Sequence, residues 1–324
     1  MTLVHKLQEI DKISEEHINS VKVDTGEKIV IDYKNWRKLQ KEQPVYSVPI
    51  EYCKYRVENG RITTDVFTYR TSKSLQESTD AETQKIIAKF LRDADPQNNL
   101  KLKSNLKKDG QLEPAIITAD GLLINGNRRK LALETLYNES PSEDFKTIKV
   151  VILPGTGKPD RPTLSDIALL ENRLQFQQMG KSEYSAMNKA LVLYFNDKRG
   201  IPLEEMLKDD PIYTDKSETE FKKSVTKFRK ENFEPIELMI EYLNMNKMKD
   251  NFKKLDKEKR WSSFQELNTK ILSKLKNERT LVEHDIREED IGLIRAAAFN
   301  IIKLRDHSEV EPRNNVLIRK FFQW

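Results

Sequence analysis

The chain carries only 10 glycines in 324 residues, about 3% against an average of ~7%. Half of them (Gly110, Gly121, Gly126, Gly155 and Gly157) fall between positions 110 and 157. Glycine enters left-handed backbone without penalty and lets the chain approach a neighbour closely. A chain this poor in it makes its unusual turns in one short region and reads as mostly helical elsewhere. The charged fraction is 34% and the apolar fraction 37%, against about 25% and ~45–50% in an average domain. The cores are therefore expected to be modest and helix-flanked, and the length suggests two or three domains. Mean hydropathy is -0.71 and no long apolar run is present, which argues against a transmembrane helix. The charged start, MTLVHKLQEIDKISEE, does not read as a signal peptide. A single cysteine, Cys53, allows no internal disulfide and suits a reducing cytosol, so a cytoplasmic protein is expected. The four histidines (His5, His17, His284, His307) are scattered without zinc-ligand spacing. The net charge of +5 permits nucleic-acid binding without requiring it.

Along the chain, a charged helix-like lead precedes VKVDTGEKIVIDY, where Asp24-Thr25-Gly26 between two alternating runs signals a hairpin. YSVPIEYCKYRVENGRI predicts a short strand and an Asn59-Gly60 turn. Residues 82–109 carry helical patterning, interrupted at Pro96 and ended by Gly110. GQLEPAIITADGLLINGNRRKLALETLYN then predicts strand, a tight turn at Asp120-Gly121, strand, Gly126 and helix. TIKVVILP is a further strand, and GTGKPDRP is a loop and a boundary. After Thr163 the patterning is helical throughout, to the final NNVLIRKFFQW. Four segments result: 1–45, an N-terminal helix and hairpin extension; 46–162, the mixed α+β domain; 163–245, a helical domain; and 246–324, a second helical domain.

Three constellations carry chemistry. In LLINGNRRKLALETL a strand delivers the chain to Gly126 and a helix starts at once. Its first-turn N–H groups lack intrahelical partners and its dipole is positive at that end. Arg128 and Arg129 lie in that turn, where cations are unfavourable, and an anion bound there would explain them. A surface arginine pair without a ligand fits the same residues. In ALLENRLQF, Glu171 beside Asn172 offers a carboxylate and a carboxamide that suit a hydrated Mg²⁺ on a triphosphate, or simply an exposed stretch of an amphipathic helix. In DGQLEPAII, Gly110, Gln111 and Pro114 form a loop that either contacts a base or ribose or is an ordinary connection.

Taken together, these pieces resemble the N-terminal domain of ParB, the chromosome- and plasmid-partitioning protein, within the ParB/sulfiredoxin-like superfamily. Val48-Pro49-Ile50 matches the family's strand-starting V-P-I. Gly110 and Pro114 match its G-x-x-x-P. Gly126, Arg128, Arg129 and Ala132 match G-x-R-R-x-x-A, and Glu171 and Asn172 match the start of E-N-x-x-R. The resemblance covers roughly residues 46–180. It implies an α+β fold with a ParB/sulfiredoxin-like head on a small mixed sheet, followed by an all-α C-terminal region. It also implies CTP or ATP on Gly110, Gln111, Pro114, Gly126, Asn127, Arg128 and Arg129, with Mg²⁺ and slow hydrolysis at Glu171 and Asn172. Family members switch between open and clamped dimers around DNA. Sulfiredoxin-like and free-serine kinase relatives transfer phosphoryl groups from ATP, and some ParB-like proteins have been described as nucleases.

The chain departs from that pattern. Position 175 is Gln where the fourth motif ends in Arg, which puts hydrolysis and clamping in doubt. ENGRITTDVFTYR stands where a Pro-rich, Arg-containing loop is usual, leaving Arg61 or Arg70 to serve in its place. The sulfiredoxin cysteine sits in the Gly-rich turn, and Cys53 does not. The helices after Gly180 occupy the place of the family's helix-turn-helix. SETEFKKSVTKFRK, with Lys222, Lys223, Lys227, Arg229 and Lys230, is the candidate recognition helix for phosphates or a major groove. The alternative is a solvated face of a partner-binding bundle. The combined expectation is a nucleotide-binding, DNA-associated protein acting in partition, transcription control or mobile-element defence, with a homodimer or a partner protein and no membrane. A nuclease or small-molecule kinase on the same head, and a degenerate protein-interaction module, are the rival expectations.

Overall fold

The computed structural model describes residues 13–31, 33, 42–71, 75, 80–177, 185–208, 210–213 and 215–304. The lead up to residue 12, His5, His307 and the terminal NNVLIRKFFQW lie outside the described residues, as does the side chain of Gln175. The chain divides into two compact units, one made of residues 1–63, 74–184 and 209–211, the other of 64–73, 185–208 and 212–324.

The first unit is α+β. Helix α1 (Glu15–Val21) starts at a Ser14 cap, and strands β1 (Val23–Val30) and β2 (Glu42–Pro49) follow. After α2 (Thr63–Arg70), almost all of which belongs to the second unit, come α3 (Ala81–Ala94) and α4 (Pro96–Asp109). Asp95 separates those helices by capping α4, with Pro96 in its first turn, where a missing N–H costs nothing. Then come β3 (Ala115–Ile117), β4 (Leu123–Asn125), α5 (Asn127–Glu139), β5 (Thr147–Ile152) and α6 (Leu164–Gln177). The five strands form one mixed sheet in the order β1-β2-β5-β3-β4. Among the strand pairs of the described residues, β3–β5 is the parallel one. The strand–turn–strand–Gly126–helix series stands where the glycine pattern puts it, because each of those turns is set by local backbone chemistry.

The Asp24-Thr25-Gly26 signal resolves differently. It makes no hairpin; it is an irregularity inside the single strand β1, which pairs antiparallel with β2. Gly26 has a φ of 74° and its N–H donates to Asp24 Oδ1, while Thr25 Oγ1 donates to Val45 O on the partner strand. An Asx-type turn chemistry serves a bulge as well as a hairpin; the partner strand, absent from the local sequence, decides which.

One face of the sheet buries Val45, Ile116, Ile124 and Val151 against Ile167 and Leu170 of α6. The boundary expected at 162/163 therefore falls before a helix that packs with the first unit. The apolar face of α6 is what completes that layer. On the other side, α5 packs against β5 and against the turn that follows β2, and α3 and α4 flank α5.

In the second unit every described element is helical: α7 (Ala186–Lys198), α8 (Leu203–Leu207), α9 (Glu218–Phe228), α10 (Glu234–Met245), α11 (Phe252–Lys257), α12 (Trp261–Glu266), α13 (Glu278–Glu283) and α14 (Asp290–Leu304). The candidate recognition helix and the segment after it form one run. A π turn at Arg229–Phe233 joins α9 to α10. Pro235 has no N–H and its ring clashes with a carbonyl one turn back; a widened turn there accommodates it. Tyr242, Phe264 and Phe299 form an aromatic core of edge and tilted contacts. Arg260 is buried and donates to Glu258 and to the Ile302 carbonyl near the end of α14.

Candidate functional site

The site begins at Gly126. Its φ of 98° is left-handed, and a Cβ there would lie 2.4 Å from the Ala115 Cβ. Both facts demand glycine. Because Gly126 is the N-cap residue of α5, no side chain caps the helix, and the first turn holds no acid. Helix starts of this kind leave N–H groups and the positive dipole end available to an anion.

The two arginines of that turn are half-buried and anchored. Arg128 donates through Nε to Asn99 Oδ1 at 2.7 Å, and its Nη2 lies 3.9 Å from Asp95 Oδ2. Burial depresses its pKa, with the nearby Arg61 guanidinium adding to the effect and Asp95 opposing it. Arg129 donates to the Pro114 carbonyl and to Glu113 Oε2, both at 2.9 Å. Burial again pushes its pKa down, and Glu113 opposes that. The charge conflict expected from two cations at a helix start is thus met within the protein, by Asp95 and Glu113. Those two acids and Asn99 escaped the sequence reading. Asp95 and Asn99 sit one turn apart at the start of α4, a spacing that could have marked them.

The loop residues divide. Gly110 ends α4 at a φ of 70° and a Cβ there would meet nothing within 4 Å. Gln111 behaves like an added strand residue: it accepts from the Lys149 N–H and donates to the Lys149 carbonyl, both at 2.8 Å. Pro114 presents its carbonyl to Arg129. Of the two arginines offered for the missing loop, Arg61 lies close enough to Arg128 to depress its pKa, whereas Arg70 belongs to the second unit.

Glu171 and Asn172 stand on α6 in the same unit. Glu171 Oε2 is 3.4 Å from Arg56 Nη1, and Arg56 Nη2 is 3.3 Å from Glu58 Oε2. Arg56, another residue the sequence reading missed, is buried. Its only local signal is a cation inside a stretch, Cys53 to Val57, that is buried at every position. Asn172 is 7% exposed, and its Nδ2 has no hydrogen-bond partner; the same holds for Asn127 Oδ1 at the start of α5. Buried polar atoms without partners are rare and call for an explanation such as a ligand.

A hydrated Mg²⁺ wants several open oxygen ligands. Here the one carboxylate is held by a guanidinium, and the unsatisfied atom of Asn172 is a nitrogen donor. Among the described residues no group of three or more His, Cys, Asp or Glu gathers to hold a metal ion. The residues present do not fit the expected Mg²⁺. Cys53 is fully buried, and burial pushes its thiol up to about 12, so it is no nucleophile.

In the second unit, α9 displays Lys222, Lys223 and Lys227, and the π turn after it Lys230, as exposed side chains. Lys222 pairs with Glu218 at 2.7 Å and Lys227 with Glu231 at 3.8 Å along the helix. Arg229 differs. It forms a two-pronged bond to Asp197 of α7, 2.9 Å on each prong, and stacks on Phe233. It ties helices together and is not part of the open basic face.

Comparison of the chain with protein-family models, with curated proteins and with solved structures gives no match. No helix among the described residues is long and apolar enough to cross a membrane.

Proposed function

We propose that the first unit is a ParB-like head that binds a nucleoside triphosphate, CTP or ATP, at the start of α5, and that the helical second unit associates with DNA or a partner protein. The observation that carries this reading is the start of α5 at a left-handed Gly126, where no side chain caps the first-turn N–H groups and no acid opposes an anion. Phosphate oxygens satisfy such N–H groups, and Arg128, with Arg61 nearby, adds charge. The basic side chains on α9 supply a phosphate-contacting face for DNA. Hydrolysis is not part of the proposal, since its candidate carboxylate, Glu171, is held by Arg56.

One specific observation favours a second reading, a protein-interaction module. Arg128, Arg129 and Glu171 all have partners inside the protein, as they would if no ligand were ever bound. Titration calorimetry with CTP, ATP and GTP, with and without duplex DNA, separates the two. The nucleotide reading expects one preferred nucleotide and loss of its binding in the Arg128→Ala, Arg129→Ala double variant, with folding checked by circular dichroism. Uniformly weak binding, indifferent to DNA and to both substitutions, would leave the interaction module standing.

A further inference from the structure

We propose that the nucleotide site works without a divalent cation, and that Arg56 stands where the metal would be. This inference rests on the head being a polyphosphate site, and it departs from the Mg²⁺ dependence that the family resemblance implies.

The Arg56 guanidinium bridges two carboxylates, Glu171 at 3.4 Å and Glu58 at 3.3 Å. A cation between two carboxylates occupies the position and meets the charge requirement of a metal ion. The backbone beneath it is clamped. Lys54 forms a parallel bridge to Leu122, its N–H donating to the Gly121 carbonyl and its carbonyl accepting from Leu123, both at 2.8 Å. Tyr55 is held on both sides by the Gln84 carboxamide, at 2.8 and 3.0 Å. Arg56 is the next residue, so the backbone that carries its buried side chain is fixed. For Mg²⁺ to take Glu171 it would have to shed waters reluctantly given up. It would also strand a buried guanidinium on Glu58, which is half exposed and offers a screened interaction. Asn172, next to Glu171 on α6, offers a buried, unpartnered amide nitrogen, a donor that suits a phosphate oxygen and is no ligand for a cation. A guanidinium and an amide donor are partners for phosphate oxygens and not ligands for a divalent cation.

The test uses the full chain in two arms. In the first, CTP and ATP binding is measured by calorimetry in Mg²⁺ and in excess EDTA. Native affinity is expected to agree between the two buffers within about threefold, and Arg56→Gln is expected to bind at least about tenfold more weakly in EDTA than in Mg²⁺. In the second arm Mn²⁺ alone is titrated and followed by electron paramagnetic resonance. The native protein is expected to take up none, while Arg56→Gln gains a site that Glu171→Gln in the same background removes. Arg56→Lys, which keeps the positive charge, should behave as native. Native nucleotide binding that collapses in EDTA, or a native Mn²⁺ site that depends on Glu171, would overturn the proposal. Absence of nucleotide binding in either buffer would instead sink the nucleotide reading, and metal-free binding with it. The Mn²⁺ arm would then still report separately whether Arg56 holds the metal position.

Discussion

The two positively charged regions of the protein are built in opposite ways. In the head, Arg56, Arg128 and Arg129 are largely buried, with side-chain exposures of 10%, 15% and 13%, and each is fixed by hydrogen bonds to a named acid, carboxamide or carbonyl. On α9 the lysines reach into solvent: Lys222 and Lys227 are both 72% exposed, and their partners are neighbours on the same helix. Arginine's planar fork keeps its geometry and its charge when desolvated, whereas lysine is a hydrated point charge on a flexible stem. The head therefore holds preorganised charge suited to recognising a shape. The helix holds diffuse charge suited to attracting a polyanion at low salt. Arg229 shows the same division within α9, since its fork is turned inward to Asp197.

The largest effect expected from this contrast lies at the turn that orients the buried set. Gly126→Ala should cost about 3 kcal/mol or more, because it adds a left-handed penalty to an overpacked Cβ. Gly110→Ala, at a positive φ with an extended ψ that favours glycine but with open space around it, should cost about 2 kcal/mol from the backbone alone. Urea denaturation of the two variants measures the gap; equal losses would show that the close approach to Ala115 does not matter.

A second comparison sets the two kinds of cation side by side. Arg129→Ala should destabilise the protein by about 2 kcal/mol, since it removes the donor to the Pro114 carbonyl and the packing of a largely buried side chain. The triple variant Lys222→Ala, Lys223→Ala and Lys230→Ala should stay within about 0.5 kcal/mol per substitution. It should instead flatten the salt dependence of duplex DNA binding by roughly one logarithmic unit for each phosphate contact removed. An unchanged slope would remove α9 from the proposed DNA-binding surface.

The smallest effect is in the acid limb. The hydrogen bond from Arg229 holds the Asp197 carboxyl below its ordinary value, with the Leu203 N–H assisting. A carboxylate so depressed contributes stability that is present above its unfolded pKa of about 3.9 and lost as pH falls through the folded value. Stability measured from pH about 5 down to 2 should therefore fall less steeply in Arg229→Met than in the native chain. Parallel curves would mean that the pair contributes nothing pH-dependent.

Legibility in the sequence followed the range of the interaction. The end of α4 at Gly110, the Asp120-Gly121 turn and the Gly126 start of α5 could be read because glycine's positive φ and helix-capping chemistry act within a few residues. Asp24-Thr25-Gly26 could be recognised as irregular backbone, but only β2 made it a bulge. Pro235 carried a warning of a break, and packing turned it into a π turn in a continuous helix.

The chain by itself determined an α+β head with one glycine-built helix start carrying Arg128 and Arg129, and a helical remainder with a basic helix, because periodicity and backbone preference are properties of short segments. Tertiary structure alone decided what those charges meet. The Arg56–Glu171 contact joins residues 115 positions apart, and Arg229 reaches Asp197 across 32. Whether an arginine is a free hook for a ligand or a bolt within the fold depends on which distant acid the packing brings to it, and no local pattern records that distance.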